Sequence, residues 1–406
     1  MTLKKVTEII PGDVLKKDVR APNGRFLFKK HTVLTEKHIL VLKSWGVLKV
    51  EVESNKKAQI TPGHLDEEIR DNLDSYFPES EIKSSPMKDI YLLSKKFRKK
   101  ILNTNELPLT QLKKIDSAKK IALPTRLKIS PEKLVASQKE LCCLPNLYQK
   151  MMDVLNDPNS SAANIGEVVS KDSSLTAKLL RIVNSPHLGL VSKVETVSRA
   201  IAILGLEHLK LLTKGIILVE SFKNIPSKII NMKLFWKHSI SVGLMSSLLS
   251  SQEIDLIAEK FFIMGLLHDI GKLVMLGAMP GLYLNIIMHA KEERINLHQA
   301  EQKILGFNHS DIGALLFKKW FFPPSLIEII KTHHHPQKSD LPKEASILFI
   351  ANTLAQTCFY GFSGNVFIPI LSKEIMRLSG LDINCLDVVI PSFFKQIKML
   401  EKIFLS

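Results

Sequence analysis

The stretch Gly265-Leu266-Leu267-His268-Asp269-Ile270-Gly271-Lys272 decides the fold of this chain. An adjacent histidine and aspartate lie inside an apolar run that extends from 261 to 279. Burying an imidazole and a carboxylate without partners is costly in free energy, and a bound cation removes that cost. Neutral imidazole and carboxylate are ordinary ligands of Zn, Fe, Mn and Co. The stretch therefore predicts either a buried metal site or a buried polar pair, inherited from an enzymatic ancestor, whose hydrogen bonds are satisfied within the protein.

Histidines cluster around this stretch, because eight of the thirteen lie between positions 238 and 335. His238 precedes it, His309 opens the segment 309–313, and His333 and His334 follow. The spacing places these residues on separate helices whose ends can converge on one point. Three other histidines are interpreted as having no ligand role: His289 and His298 as surface or boundary residues, and His335 as facing solvent beside Pro336.

The order of these motifs resembles the HD superfamily of metal-dependent phosphohydrolases. It is closer still to the HDOD domain, the HD-related output domain of bacterial signalling proteins. The resemblance extends over about residues 137 to 340. The matching segments are Leu144-Pro145, Leu155-Asn156-Asp157-Pro158, Asn184-Ser185-Pro186, Ala200-Ile201-Ala202-Ile203-Leu204-Gly205, the stretch 266–272, Glu301 with Gly306 to Gly313, Trp320 with Pro323, and His333-His334.

The resemblance implies a helical signalling domain that holds divalent transition-metal ions, either Fe, Mn or Zn. By position, the implied ligands of the first ion are His238, His268 and Asp269. His309 and His333 or His334 match histidines that serve a second ion in the HD-GYP branch of the superfamily. In an active enzyme Asp269 and Lys272 would be catalytic, with Lys272 meeting a phosphate of the substrate.

Two positions depart from the enzymes of the superfamily. Their last metal ligand is an aspartate, whereas the equivalent segment here, 350–355, carries Asn352. An amide is a neutral and weaker ligand than a carboxylate, so both metal affinity and water activation are in doubt. The Gly-Tyr-Pro segment of HD-GYP enzymes is absent, because Gln337-Lys338-Ser339-Asp340 stands in its place. Hydrolysis of cyclic di-GMP is therefore not implied.

We expect a mainly α protein, an all-helical HD/HDOD domain preceded by a small α+β module. Residues 1–55 predict a strand-rich module, with a turn at 22–24 and short strands around it. Residues 56–136 predict a basic helical linker, 137–340 the HDOD domain, and 341–406 a helical extension. Within 393–404, apolar residues recur at helical spacing.

The net charge of +16 is uneven along the chain, since residues 81–140 hold 15 Lys or Arg against 6 Asp or Glu. We interpret this segment as a solvated helical linker, while binding to nucleic acid or to an anionic membrane surface remains the alternative. The two helices around Gly205 superficially resemble a helix-turn-helix motif. The second of them is too apolar to read DNA, so nucleic-acid binding is not favoured.

The expected cellular location rests on features that the sequence lacks. Residues 1–17 lack the apolar core of a signal peptide, and we expect no membrane span, because charged residues interrupt the 261–279 run. The four cysteines show no Cys-x-x-Cys spacing, which favours a reducing cytosol. The sequence therefore predicts a cytoplasmic protein.

The function predicted from these observations is a regulatory output module of bacterial signal transduction. It would bind other signalling proteins or a nucleotide without turning over a substrate. The alternative is a metal-dependent phosphohydrolase or phosphodiesterase that acts on a nucleotide or cyclic dinucleotide. The input signal and the oligomeric state stay open, and so does the question of whether the protein is an enzyme.

Overall fold

A computed structural model of the chain describes most of it. The described residues are 2–53 with gaps at 7–8, 10–12, 23, 25, 36–37, 40, 43–44, 46 and 48, then 76–77, 85–101, 129–137, and 146–405 apart from 191, 223–228 and 254. The chain forms two compact units, Met1–Glu68 and Ile69–Ser406. Most of the basic segment 81–140 lies outside the described residues, as do Cys142 and Cys143. The boundaries predicted at 55, 136 and 340 stay predictions.

Short antiparallel strands build the first unit. They are β1 (Thr2–Lys5), β2 (Val14–Leu15), β3 (Val19–Arg20), β4 (Phe26–Phe28) and β5 (Lys49–Glu53). One sheet has the order β1-β5-β2, and β3 pairs separately with β4. Strand β1 was not predicted, because its sequence Thr-Leu-Lys-Lys lacks apolar alternation. Its strand state comes from pairing with β5, in which Thr2 lies opposite Val52.

The predicted turn of this unit is present. The Gly24 N–H donates to the carbonyl oxygen of Ala21 at 2.9 Å, and Gly24 has a φ of +83°, which a glycine adopts without strain. Leu15, Leu42 and Val52 are buried in a small core between the strands. The first unit is therefore the small α+β module that the sequence predicts, with a helical turn in which the Trp45 N–H donates to the Val41 carbonyl.

The second unit is helical. Its helices are α1 (Met87–Ile101), α2 (Pro131–Ser137), α3 (Asn146–Asn156), α4 (Ala162–Ser170), α5 (Ser173–Val183), α6 (Val197–Leu204), α7 (Leu206–Phe222), α8 (Met232–Ser250), α9 (Ala258–Leu267), α10 (Ile270–Ala278), α11 (Pro280–Glu292), α12 (Leu297–Leu305), α13 (His309–Lys319), α14 (Pro324–Thr332), α15 (Pro342–Thr357), α16 (Lys373–Ser379) and α17 (Leu386–Leu405). The mainly α fold class is thus confirmed.

Side-chain caps begin several of these helices. The Asp172 carboxylate accepts from the Leu175 N–H at 2.9 Å, and α5 follows it. Asn231 accepts from the Leu234 N–H at the start of α8. Such caps satisfy amide groups that have no partner within the helix. Asn184 ends α5, and Gly189 adopts the left-handed conformation just beyond it.

Helix α8 lies at the centre of the second unit and is buried from Phe235 to Ser250. It packs against α9, α15 and α17. The approach to α9 is close because each helix presents a glycine: a Cβ on Gly265 would lie 2.6 Å from the Val242 carbonyl oxygen. Small residues along α8 therefore let neighbouring backbones come near the residues that carry the site.

Helix α7, the second helix of the motif that resembles a helix-turn-helix, is a core element. Leu209, Leu212 and Ile216 are completely buried, and the helix packs against α9. A recognition helix needs an exposed polar face. The interpretation of α7 as core is confirmed.

Contrary to the sequence-based expectation, the 258–278 segment is long and apolar enough to cross a membrane, but 89% of its most apolar part is buried inside the protein. It consists of two helices, α9 and α10, which meet at His268 and Asp269. The core helices of a protein can be equally long and apolar, so the burial of this segment reflects packing in the interior.

The last helices pack onto the same unit. Both α15 and α17 contact α8, and Phe393, Ile397, Leu400 and Phe404 of α17 are buried. The predicted apolar face of the last helix is therefore confirmed. Helix α1 packs against α15, with Ile90 buried, as expected of a helix with one apolar stripe.

Candidate metal centre

Helix ends bring most of the predicted ligands together. His268 caps the C-terminus of α9, and Asp269 directly precedes α10. His309 is the first residue of α13, and His333 follows the last residue of α14. The predicted convergence of helix ends is confirmed. Gly271 makes it possible, because a Cβ at this position would overlap the carbonyl oxygen of His309.

His238 reaches the site from the middle of α8 instead of from a helix end. The loop after α15 passes directly over its backbone. There Gly361, with a φ of +96°, approaches so closely that a Cβ would overlap the His238 amide nitrogen. The Asn352 side chain of α15 forms a hydrogen bond with the His238 side chain. Asn352 also accepts a hydrogen bond from Gln356 at 2.9 Å.

The first group of ligands consists of His238, His268 and Asp269. Their candidate ligand atoms all lie within 4.8 Å of one another. The Asp269 Oδ2 atom is 3.3 Å from His268 Nε2 and 3.7 Å from His238 Nε2. Two imidazole nitrogens and a carboxylate oxygen form a set that Zn, Mn or Fe accepts.

The second group consists of His309, His333 and His334. Its candidate ligand atoms also lie within 4.8 Å of one another. The Nε2 atoms of His309 and His334 are 2.8 Å apart. The sequence left open which of the tandem histidines belongs to this group. The structure places both in it.

Asp269 lies between the two groups. Its Oδ2 faces His238 and His268, while its Oδ1 lies 3.1 Å from His309 Nε2. A carboxylate in this position can bridge two ions and neutralise part of their charge. The arrangement therefore fits a two-metal centre with Asp269 in the bridging position.

The tautomers of the histidines favour metal binding. His268 Nδ1 lies 2.8 Å from the Gly265 carbonyl oxygen, and His333 Nδ1 lies 2.6 Å from that of Ile330. Because a carbonyl oxygen can only accept, each Nδ1 carries a proton, and in the neutral ring Nε2 then keeps its lone pair.

These lone pairs have no other use within the described part of the chain. The Nε2 atoms of His238, His268 and His333 are buried and meet no hydrogen-bond donor among the described residues. Buried polar atoms without partners cost free energy, and a cation at the centre satisfies all three at once. The donor set therefore fits the metal that the sequence predicts, although it does not identify the element.

Electrostatics keep the ligands ready for a cation. Burial lowers the pKa of His238 to about 3, and it also holds the pKa values of His333 and His334 well below the ordinary value. These imidazoles are neutral near pH 7. Burial alone would raise the pKa of Asp269, but the His268 and Lys272 charges and hydrogen bonds outweigh it and hold that pKa well below its usual range. Metal ligands must be deprotonated, and these four are.

His309 differs from the other imidazoles. Burial lowers its pKa, but the Glu301 and Asp269 carboxylates outweigh burial, so its pKa lies above the ordinary value. The Glu301 Oε2 atom accepts from both the ring Nδ1, at 2.6 Å, and the backbone N–H of His309, at 2.9 Å. Tyr283 donates its hydroxyl to Glu301 Oε1 at 2.6 Å.

Glu301 therefore fixes the ring of His309 from the side opposite the centre, as carboxylates do behind many metal-bound histidines. The sequence contained this residue among the matching segments but did not assign it a role. The signal was a glutamate at a position of α12 that faces the core, where a carboxylate needs a partner.

Lys272 is buried one turn after Asp269. Its ammonium donates to Asp269 Oδ2 at 2.8 Å and to the Ser363 hydroxyl at 3.2 Å. In this arrangement the charge of Lys272 is engaged by Asp269. The predicted contact with a substrate phosphate stays a prediction, as do the catalytic assignments of Asp269 and Lys272.

Two histidines lie elsewhere than the sequence indicated. His298 is 8% exposed and stacks on His334 with ring centroids 4.1 Å apart, so its assignment to the surface was wrong. His335 is half-buried, with its ring against His298 at 5.4 Å, instead of facing solvent. The cause is the turn after α14, which folds back over the start of α12. His289 is a boundary residue, as expected.

Access to the centre is narrow. His268 and His333 are completely buried, and Asp269 is 1% exposed. A cleft beside His238, lined also by Tyr76 and Phe362, has a volume of about 30 Å³. That is room for about two water molecules.

The fold and the site define a class: a helical domain in which two buried groups of His and Asp side chains could hold metal ions. Residues 141–336 match the model of the HDOD domain family, and this part of the chain is an HDOD domain. The resemblance seen in the sequence is thereby confirmed.

Comparison with known proteins finds several with a similar chain or fold. A Treponema pallidum protein without an assigned function is 26% identical to this chain over 219 residues. The matched region is 52% of this chain and 42% of that protein, so the chain spans less than half of its relative's length. A crystal structure of a protein from Shewanella amazonensis SB2B, provisionally named a phosphohydrolase, superposes with a TM-score of 0.51 at 24% identity. The matched region is 67% of this chain and 97% of the Shewanella chain. An HDOD domain protein of unknown function from Geobacter sulfurreducens has a TM-score of 0.49 at 21% identity. The matched region is 68% of this chain and 95% of the Geobacter chain.

Proposed function

We propose that this protein is a regulatory output module of signal transduction whose buried metal centre organises the HDOD domain. In this role the metal fixes the relative positions of α8, α9, α13 and α14, and other proteins or a nucleotide bind to the outer surface. When bound, the ions supply electrostatic stabilisation to a cluster of side chains that is otherwise costly to bury.

The burial of the centre carries this proposal. A phosphohydrolase has to bring a phosphate oxygen within direct reach of its metal ions. Here the adjoining cleft, at about 30 Å³, is far smaller than the roughly 300–1,000 Å³ of small-molecule sites. Turnover would require the segment after α15, which carries Gly361 and Ser363, to move away from the ligands.

Asn352 supports the same proposal. It stands beside His238, where the enzymes that the sequence resembles have a carboxylate. A neutral amide contributes less charge to a metal ion, so a bound water is acidified less strongly. The amide also forms hydrogen bonds with His238 and Gln356, which is a structural use of the side chain.

A second candidate function is metal-dependent phosphohydrolysis. Two specific features favour it: two complete ligand groups bridged by Asp269, and a buried Lys272 beside the carboxylate. If the segment after α15 opens, Lys272 is the cation nearest to an entering phosphate. Nucleotides and cyclic dinucleotides are the substrates that this alternative implies.

One experiment separates the two candidates. Metal content is measured by plasma mass spectrometry in the wild-type protein, in Asp269→Ala, and in Glu374→Gln as an exposed control. We expect one or two transition-metal ions per chain in the wild type and the control, and none in Asp269→Ala. The same proteins are assayed on a panel of nucleotides and cyclic dinucleotides with Mn or Fe.

The regulatory proposal expects no turnover by any of these proteins. Robust hydrolysis that is lost in His268→Ala would overturn it in favour of the enzyme. Absence of metal from the wild-type protein, even after purification without chelators, would overturn the organising role of the metal and leave the histidine cluster as a purely structural feature.

A further inference from the structure

A groove on the second unit lies apart from the metal centre. It has a volume of about 650 Å³ and runs between α5 and α17. Its apolar lining comes from both helices and from the loop after α5: Leu180, Val194, Met399 and Ile403. Helix α5 belongs to the HDOD domain, whereas α17 lies beyond the family match. The groove therefore exists only where the C-terminal extension packs on the domain.

The wall of the groove is held rigidly by Asn184. Its side-chain amide donates to the carbonyl oxygens of Leu180 and Val194, each at 2.7 Å. Its Oδ1 accepts from the Val194 N–H, also at 2.7 Å. One side chain thus ties the loop at 193–195 to the end of α5. Asn184 begins the Asn184-Ser185-Pro186 segment, whose role the metal centre does not explain. A rigid wall reduces the conformational entropy lost on binding.

The edges of the groove are basic. Arg181 stands on α5, Lys193 on the loop and Lys402 on α17. Within the described part of the chain, no carboxylate lies within ion-pair distance of Arg181 or Lys402. Lys193 pairs at 3.1 Å with Glu195, which also lines the groove, and both of these side chains are exposed, so the unpaired charge at the edges comes from Arg181 and Lys402. An occupant that carries acidic groups on both sides of an apolar stripe would be complementary to these edges.

Two large apolar side chains of α17 are exposed. Val388 is 59% exposed and Met399 is 38% exposed. They are eleven positions apart, or about three helical turns, so both lie on the same face about 16 Å apart, with Ser392 and Lys395 between them on that face. An amphipathic acidic helix suits such a mixed surface, because its apolar side chains would lie in the groove while its carboxylates would lie beside Lys395 and Lys402. Among the described lining residues none is aromatic, so a nucleobase would find no ring to stack on.

We propose that the groove between α5 and α17 binds an acidic amphipathic helix of a partner protein. The apolar face of that helix lies on Leu180, Met399 and Ile403, and its carboxylates face Arg181 and Lys402. Helices are commonly bound in apolar grooves in this way, and methionine adapts its shape to the side chains it receives. The proposal does not rest on the metal centre, and a metal-free protein that stays folded is expected to bind equally well.

The test uses a synthetic helical peptide of about 18 residues, with leucines along one face and glutamates on the others. Binding to the full chain is followed by fluorescence anisotropy. The Met399 methyl group is followed by NMR of protein labelled at the methionine methyl positions. We expect saturable binding that shifts the Met399 signal and leaves those of buried Met151 and Met245 unchanged. The double variant Arg181→Glu/Lys402→Glu should weaken binding by roughly tenfold or more.

Matched controls make the result decisive. Lys373→Glu changes an exposed lysine on α16, away from the groove, and should bind like the wild type. A peptide with lysines in place of the glutamates should not bind. The proposal is overturned if no binding occurs up to about 1 mM peptide, a very weak limit for a specific site. Equal binding by the double variant or by a scrambled acidic peptide also overturns it.

Two further outcomes would assign the groove to another ligand and overturn the proposal. In one, ATP or another nucleotide shifts the Met399 signal and the peptide does not. In the other, vesicles that contain phosphatidylglycerol bind through Arg181 and Lys402 while the peptide is inert.

Discussion

At the scale of single residues, Asp269 is the position on which the centre depends. It is the one carboxylate among the proposed ligands and lies between the two histidine groups, within 3.3 Å of His268 and 3.1 Å of His309. The residues that support the ligands from behind, Glu301 and Asn352, are equally buried. Their chemistry sets how strongly the ligands hold a cation.

Glu301 should control the affinity of the second ion. Replacement of Glu301 by Gln removes the negative charge behind His309, so the ring is oriented and polarised less well. We expect metal affinity to fall by about 10- to 100-fold at one of the two sites. Titration with Mn or Zn, followed by calorimetry, measures this change. Tyr283→Phe is the control, because it keeps the carboxylate, and its loss should be smaller. Equal affinity in wild type and Glu301→Gln would contradict the positioning role.

Asn352 offers the opposite test. Asn352→Asp restores a carboxylate beside His238 and should tighten binding of the first ion, since a negative ligand attracts a divalent cation more strongly than an amide does. The same titration measures the gain. Asn365→Asp, on the loop that lines the adjoining cleft, is the control for added negative charge. If only the control tightens binding, Asn352 is not at a ligand position.

At the scale of secondary-structure elements, the site depends on close backbone approaches between helices. The start of α10 lies against the start of α13 because Gly271 has no side chain. Ser185 and His187, in the turn after α5, fill the space beside α9, where the His187 ring lies 4.9 Å from that of Phe262. Both contacts hold helices that carry metal ligands.

Gly271→Ala should separate α10 from α13 and disrupt both the fold and the centre. The added Cβ would overlap the His309 carbonyl, and overpacking of this kind costs about 1–3 kcal/mol or more. We expect a lower Tm together with reduced metal content. Gly166→Ala on α4 is the matched control, because its Cβ would meet only ordinary contacts at 3.8 Å, so this change should be neutral or slightly stabilising. Similar losses in both variants would show that the position of Gly271 is not special.

His187 should make the protein sensitive to acid. Burial lowers its pKa to about 3, below that of an unfolded histidine. Between about pH 6.5 and about pH 3 the unfolded chain therefore binds a proton at this residue and the folded chain does not, so stability falls as the pH falls. The effect is at most about 1.4 kcal/mol per pH unit for this one group.

Urea unfolding at about pH 7.5 and about pH 5 measures this effect. His187→Phe keeps a ring against Phe262 but removes the titrating group. We expect the stability lost between the two pH values to be smaller in the variant, by about 2 kcal/mol. An unchanged pH dependence would mean that His187 takes a proton in the folded state.

At the scale of the whole molecule, the second unit is built around α8, and its metal ligands come from segments spread between positions 238 and 334. A ligand that binds only the folded state stabilises the entire unit. The centre is therefore expected to couple the helices of the domain into one cooperative structure.

Metal binding should raise the Tm of the whole second unit. At about 100 times the dissociation constant, a bound ion adds about 2.7 kcal/mol to the free energy of unfolding. Differential scanning calorimetry with chelator, and then with added Mn or Zn, measures the shift. Asp269→Ala should show no shift, whereas Glu374→Gln should behave like the wild type. An equal shift in Asp269→Ala would place the stabilising ion elsewhere.

The amino-acid sequence by itself determined the helical class and singled out the His268-Asp269 pair, while the other proposed ligands came from its resemblance to a known family. The class and the pair depend on local information: apolar periodicity, capping residues, and an expensive His-Asp pair inside an apolar run. The same local information could not reveal β1, whose strand state comes from pairing with β5.

Only the tertiary structure decided that His333 and His334 both join the second group, that Glu301 stands behind His309, and that His298 stacks on His334. It also decided that the centre is closed and that α17 forms a groove with α5. The physical reason is that each of these features depends on distances between segments far apart in the chain. Such distances are set by how closely helix backbones pack, which the local pattern of residues does not encode.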